Sequence, residues 1–229
     1  MLRSKFMKII ALNSSPRKAL SRTGQIIGEI LLGTELYWEQ TEYIDITTLA
    51  IGGCIGCDRC HHLGVCIQKD DFNVLFDKIC ASDGIVLGSP VYIYQVTAQL
   101  KAFIDRLGHA IHCQRLLGKY GAVVATAGGS GQVETANYLH LLLNRLGVQC
   151  VGRIACTLDD GPVAGGSLIM QQADKLGLDL VRAIVEKHQF PDQIQTIEGM
   201  RQYFRSIMIK HKGRWDWEYR YWQDKGWLE

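Results

Sequence analysis

A chain of 229 residues, 47% hydrophobic and 21% charged, can build one large domain with an appendage and has an ordinary globular composition. Its formal charge of +2, from 25 basic and 23 acidic residues, gives no sign of a nucleic-acid binder, and no apolar run reaches the roughly 18 residues of a membrane span. The opening "MLRSKFMKIIALNSSPRK" is too short in apolar residues for a signal peptide, so a cytoplasmic protein is expected, in which eight cysteines stay reduced rather than forming a disulfide framework.

"MKIIALNSS" (7–15) predicts a buried parallel strand running into a turn. "TGQIIGEILLG" (23–33) has helical apolar spacing, and "EYIDI" (42–46) reads as a second strand. The loop that follows, "CIGCDRCHHLGVCIQKDD" (54–71), holds Cys54, Cys57, Cys60 and Cys66 within thirteen residues. "DDFNVLFDKICAS" (70–82) predicts a helix opened by acids, "GIVLGSPVY" (84–92) a third strand, and "TAQLKAFIDRLG" (97–108) a helix stopped by glycine. "YGAVVATAGGSG" (120–131) is a fourth strand entering a glycine-rich turn, then come a helix (133–147), a fifth strand "VQCVGRIAC" (148–156) and a long helix (167–188). Of the other cysteines, Cys80 and Cys150 lie in apolar segments and read as buried, inert thiols, while Cys113 and Cys156 are scattered.

Strands alternating with helices predict an α/β fold, a five-stranded parallel sheet with helices on both faces in the flavodoxin-like order 2-1-3-4-5. The predicted division is a domain over 1–190 and a C-terminal helical, aromatic extension over 191–229. The tail "RWDWEYRYWQDKGWLE" carries four of the five tryptophans. It reads either as an appendage packed on its own subunit or as an arm that packs on a partner or walls an active site.

Ligands of such sheets bind outside the carboxyl ends of the strands, which selects loops 13–23, 89–95 and 127–132, with the cysteine loop at the same edge. Loop 13–24 offers the hydroxyls of Ser14, Ser15, Ser21 and Thr23 and the guanidinium of Arg17 ahead of a helix N-terminus, a set that suits a phosphate monoester. Capping of the helix by Ser21 or Thr23 is the structural alternative. Neither G-x-x-x-x-G-K-[ST] nor G-x-G-x-x-G follows the first strand, so an ATP-type loop and a dinucleotide fingerprint are both excluded there. His109 and His112 read as structural.

The "SPR" turn after strand one, "SPVY" after strand three, "LKAFIDR" in the next helix and "GG" after strand four together resemble the NADPH-dependent FMN reductase superfamily over roughly residues 7–160. The resemblance implies noncovalent FMN and a homodimer or homotetramer. It assigns Ser15, Arg17, Ser21 and Thr23 to the phosphate, Pro90, Val91, Tyr92 and Tyr94 to the ring, and Gly128 and Gly129 to close backbone approach. Ser14 stands where many relatives have glycine. The spacing C-x2-C-x2-C-x5-C further resembles the iron–sulfur flavoprotein branch, which implies a 4Fe-4S cluster on Cys54, Cys57, Cys60 and Cys66. Zinc, with His61 or His62 as nitrogen ligands, and bare thiols in a structural loop stay open as rivals.

The expected activity is an FMN-dependent oxidoreductase that moves electrons between a reduced donor and an acceptor through FMN and the cluster. The redox partner is a small molecule or a protein, with NAD(P)H a candidate donor. The alternatives are a cluster-free NAD(P)H-dependent FMN or quinone reductase and a flavodoxin-type carrier.

Overall fold

Period-two burial decides which layer each strand residue joins. In the computed structural model, which describes residues 7–35, 39–157 and 165–229, strand β1 (Met7–Asn13) sends Ile10 and Leu12 into one apolar layer and Ile9 and Ala11 into the other. Strands β3 (Gly84–Pro90) and β4 (Tyr120–Ala127) divide in the same way: Ile85, Leu87, Val123 and Ala125 face one side, Val86, Ala122 and Val124 the other. Central strands covered on both faces must be apolar throughout, which is why they were legible as unbroken runs. Strand β2 (Glu39–Asp45) forms one edge and keeps a polar sequence, while β5 (Gln149–Thr157) forms the other. All pairings are parallel and the order is β2-β1-β3-β4-β5, as the sequence predicts.

Helices α1 (Arg22–Thr34) and α7 (Leu168–Glu186) cover one face of the sheet. A short α2 (Arg59–Leu63) lies in the cysteine loop. The other face is covered by α3 (Phe72–Cys80), α4 (Ala98–Ile104), α5 (Gly108–His112) and α6 (Gln132–Arg145). The helix predicted over 97–108 is therefore shorter: it ends at Ile104, and a separate helix begins at Gly108. The turn between them is closed by Arg106 N–H donating to Phe103 O and Leu107 N–H to Ile104 O, and Gly108 opens α5 instead of ending α4. Cys150 is buried, as expected, whereas Cys80, at the end of α3, is only partly so. No helix is long and apolar enough to cross a membrane among the described residues.

The two helices on the first face meet backbone to backbone. A Cβ on Gly177 would stand 2.1 Å from the carbonyl oxygen of Ile30, and one on Gly33 would stand 2.3 Å from that of Asp174. No rotamer change relieves a clash with backbone, so Gly177→Ala must push α1 and α7 apart. Alanine recovers about 1 kcal/mol of helix propensity, and overpacking costs typically 1–3 kcal/mol. A clash with backbone belongs at the upper end of that range, about 2–3 kcal/mol, so we expect it to win by about 1–2 kcal/mol, a fall in Tm of roughly 2–8 °C in a chain of this size. An unchanged or raised Tm would show that the helices separate freely.

The C-terminal extension packs on its own chain. Helices α8 (Pro191–Lys210) and α9 (Asp216–Asp224) build a third apolar cluster in which Phe204, Met208 and Trp222 bury Cys113. Polar contacts fix it in register. Gln193 Oε1 accepts from Asn144 Nδ2 at 2.8 Å and from Cys150 N at 2.7 Å, its Nε2 donates to Cys150 O at 2.8 Å, and Gln114 Nε2 donates to Ile197 O at 2.7 Å. Helix α9 escaped sequence reading because its aromatics are interleaved with charges. The fifth tryptophan, Trp38, lies outside the described residues.

Candidate functional site

Two neighbourhoods gather the chemistry at the carboxyl edge of the sheet. The first is a groove between the loops after β1, β3 and β4. Ser15, Arg17, Thr23, Pro90, Val91, Tyr92 and Gly128 all line it, joined by Thr126 and Ala127, which sequence reasoning passed over. Thr23 and Thr126 share a hydroxyl–hydroxyl hydrogen bond of 2.7 Å, which ties the first turn of α1 to the end of β4. Ser21 caps α1, its Oγ accepting from Gly24 N at 2.8 Å. Arg17 is exposed ahead of a 3-10 turn, Lys18–Leu20, so its guanidinium and the helix N-terminus offer positive potential to the same mouth.

The wall after β3 is conformationally unusual. Ile93 and Tyr94 are both left-handed, at φ 49° and 60°, and are 94% and 67% exposed. A β-branched residue in that region is an outlier and costs on the order of 1–3 kcal/mol. The reciprocal backbone bonds between Tyr92 and Gln95, at 2.8 and 3.1 Å, hold the turn. Gly128, which lines the groove, and Gly129, which does not, both have negative φ, and a Cβ on either would meet nothing within 4 Å among the described residues. Neither needs a left-handed backbone, and no described residue packs where a side chain would stand. The lack of a side chain at Gly128 keeps open the space beside Pro90, Val91 and Tyr92, a cradle that suits a flat aromatic ring. Tyr94 sits beside Gly131 at the rim, where a Cβ would stand 3.1 Å from its ring.

The second neighbourhood is the cysteine loop. Cys54, Cys57, Cys60 and Cys66 line one pocket, with Arg106 in its wall. Left-handed residues at Gly56 (φ 65°) and Asp58 (φ 57°) turn the chain between successive cysteines. Gly56 N–H donates to Cys54 Sγ at 3.5 Å. Cys54 and Cys57 are exposed, whereas Cys60 and Cys66 are partly covered. Burial, aided by Glu218 and Cys66, pushes the Cys60 thiol up to about 11.

Arg106, the last residue of "LKAFIDR", is the structural hub of this loop and was given no role from sequence. It is 3% exposed. Its guanidinium donates to both carboxylate oxygens of Asp70 at 2.5 and 3.0 Å, to Gly52 O at 3.2 Å and to Cys66 Sγ at 3.1 Å, and it lies 4.3 Å from the centroid of the Phe72 ring. The hydrogen bonds from Arg106 outweigh the upward push of burial and hold the Asp70 carboxyl down to about 2.

Among the described residues, one set of histidine, cysteine or carboxylate ligand atoms lies within 4.8 Å of one another, and it is not the cysteine quartet. It consists of His61, His112 and Glu218, brought together from α2, α5 and α9. Glu218 is fully buried, its carboxylate 2.6 Å from His61 Nδ1 and 3.1 Å from His112 Nδ1. Burial raises its pKa, but the bonds from His112 and His61 more than offset this, so it stays below the ordinary value. His109, read as structural, is buried beside this group, and burial lowers it to about 4.

Residues 7–162 match the protein family described as NADPH-dependent FMN reductase. The chain belongs to that family. It is also closely related to the iron–sulfur flavoproteins. An iron–sulfur flavoprotein of Archaeoglobus fulgidus is 30% identical over 97% of this chain and 100% of its own length. A second, from Methanocaldococcus jannaschii, is 35% identical over 58% of this chain and 70% of its own. The fold also resembles the crystal structure of an NADH:FMN oxidoreductase, with a TM-score of 0.60 at 21% identity, covering 82% of this chain and 93% of that one. As a member of the FMN reductase family, the chain is an FMN-binding, FMN-dependent oxidoreductase, and the expected activity stands at that level. The four cysteine sulfurs on which a cluster is expected form no compact ligand set among the described residues.

Proposed function

We propose that the groove holds FMN with its phosphate at Arg17, Ser15, Ser21 and Thr23 and its ring between Pro90, Val91, Tyr92 and Tyr94 on one side and Gly128 and Gly129 on the other. The observation that carries this is the groove itself, where Ser15, Arg17 and Thr23 meet Pro90, Val91 and Tyr92 and no described residue fills the space beside Gly128. Bound there, FMN supplies an acceptor that takes two electrons at once or passes them singly. The protein's part is to neutralise the phosphate with Arg17, to shield the ring with the apolar wall, and to leave one side open to a donor such as NAD(P)H.

Replacing Arg17 with alanine removes a charge-assisted bond, and FMN affinity should fall by about 1.5–3 kcal/mol, roughly ten- to hundredfold in Kd. Gly128→Val should weaken binding by filling the cradle. Fluorescence titration of flavin against apoprotein reads both. Unchanged affinity in both variants would place FMN elsewhere.

We further propose that Cys54, Cys57, Cys60 and Cys66 hold a 4Fe-4S cluster. Supporting this are the single pocket shared by the four thiols, the N–H donors to Cys54 and Cys66 sulfur, and the similarity to iron–sulfur flavoproteins. Such a cluster handles one electron at a time. The second reading is a cluster-free NAD(P)H-dependent FMN or quinone reductase, favoured by the exposure of Cys54 and Cys57 and by the lack of a compact thiol set. The proposal includes a reducing, cytoplasmic setting, in keeping with eight free thiols, and a homodimer or homotetramer, in keeping with the exposed Ile93 and Tyr94; sedimentation tests the latter.

A further inference from the structure

The tail grips the cysteine loop at three points spaced three residues apart. Arg214 Nη2 donates to Asp58 Oδ2 at 3.4 Å. Glu218 takes His61 Nδ1 at 2.6 Å, and the Trp215 ring stacks on the His61 ring at 4.4 Å between centroids. Trp217 closes on Gly64, where a Cβ would stand 2.1 Å from the indole and where φ is +74°, so only glycine fits both the turn and the ring. Arg115 braces the same spot, donating to Gly64 O at 3.2 Å while its guanidinium lies 5.3 Å from the rings of both Trp217 and Phe76.

Asp58 follows Cys57, and His61 follows Cys60, so the gripped residues and the thiols alternate along one short segment. The other end of the clamp is anchored in the main domain, because Glu218 also binds His112 Nδ1 at 3.1 Å and Trp222 Nε1 donates to His112 O at 3.1 Å.

We infer that Glu218 is a positioning residue for the cysteine site: through His61 and His112 it locks the segment carrying Cys57 and Cys60 against α5, so that the thiol pocket is set before any cluster occupies it. A fully buried carboxylate that bridges two imidazoles from different elements leaves neither of its oxygens unsatisfied, and it ties the two elements together. The same three side chains could instead ligate a divalent ion. At ligand bonds of about 2.0–2.2 Å, an ion between them would hold the nitrogen and oxygen near 3 Å or beyond. The 2.6 Å contact between His61 and Glu218 is that of a direct hydrogen bond. The inference rests on the cysteine loop being the redox site proposed above, but its test does not need iron to be present.

The test is amide hydrogen exchange of residues 54–66 in the full-length, FMN-loaded protein, with metal content measured in parallel. Glu218→Gln and His112→Ala should each speed exchange in that segment about tenfold or more, the cost of losing a bond to a charged group. His112→Asn should restore protection, because its carboxamide can donate in place of Nδ1–H. FMN affinity should be unchanged in all three, and any iron present should leave Glu218→Gln faster when a chelator is added. Wild-type exchange in Glu218→Gln and His112→Ala, with native tryptophan fluorescence, would overturn the inference. So would one equivalent of zinc or another divalent ion that is lost in Glu218→Gln and His112→Ala but kept in Cys60→Ser, since the triad would then be a metal site. An iron-free wild type that still shows the Glu218-dependent protection would sink the cluster and leave the positioning role intact.

Discussion

Arg106→Leu should be among the most damaging single changes in the chain. The guanidinium is buried, and its removal leaves the Asp70 carboxylate without its bidentate partner, the Gly52 carbonyl without a donor and the Cys66 sulfur without its N–H. Breaking a fully buried ion pair on one side costs about 3–5 kcal/mol, but the Asp70 side chain is 16% exposed and regains water, so the loss should be about 2–3 kcal/mol. Leucine replaces the stacking on Phe72 only in part. The loss should depend on pH. Asp70 is held at about 2 in the folded chain, below its ordinary 3.8. As pH falls, the unfolded chain therefore binds that proton first. The stabilisation is complete above the unfolded value and drains away as pH falls towards 2. Urea unfolding of the two proteins should differ by the full amount at pH 5 and above, with the gap narrowing between pH 4 and pH 2. A gap that is small at neutral pH would mean that Asp70 and the loop relax into water at little cost.

Trp222→Ala should be comparably severe but local. Trp222 is fully buried, meets Trp227 edge to face at 5.3 Å between centroids, and donates to His112 O. Deleting a buried tryptophan side chain costs about 3–5 kcal/mol. The third apolar cluster is small, so the loss should appear as undocking of α9 while the five-stranded sheet survives. Near-ultraviolet circular dichroism should lose tryptophan signal and proteolysis should cut within 211–229, with the main urea transition retained. A full loss of cooperativity would show that the extension and the sheet fold as one unit.

The sheet was readable because β1, β3 and β4 are buried on both faces and so are written as unbroken apolar runs. Edge strand β2 was found only in part, over 42–46, because an edge tolerates Gln40 and Thr41 as readily as valine. The groove proposed above for the flavin was legible in outline, because the loops that form it sit where the topology must place them. Thr126 escaped because it reads as the end of a strand. Ser21 illustrates a limit of another kind: one hydroxyl suits a helix cap and a phosphate equally well, and the cap is what the geometry displays. The clamp was out of reach. His61 and Glu218 are 157 residues apart, and nothing local in "RWDWEYRYWQDK" announces that its glutamate is fully buried. Arg106 and Asp70 were each inside quoted motifs, but a pairing across 36 residues is a property of the folded loop.

Iron and flavin analysis of protein purified without oxygen tests the central claim most directly. The account predicts one FMN and about four irons per chain, with a broad absorbance shoulder near 400 nm beside the flavin bands. Replacing Cys54, Cys57, Cys60 or Cys66 singly with serine should lower the iron and bleach the shoulder while FMN stays, because the proposed flavin contacts lie on other loops. Full FMN with no iron, together with wild-type NAD(P)H oxidation in all four serine variants, would contradict it and leave the cluster-free reductase.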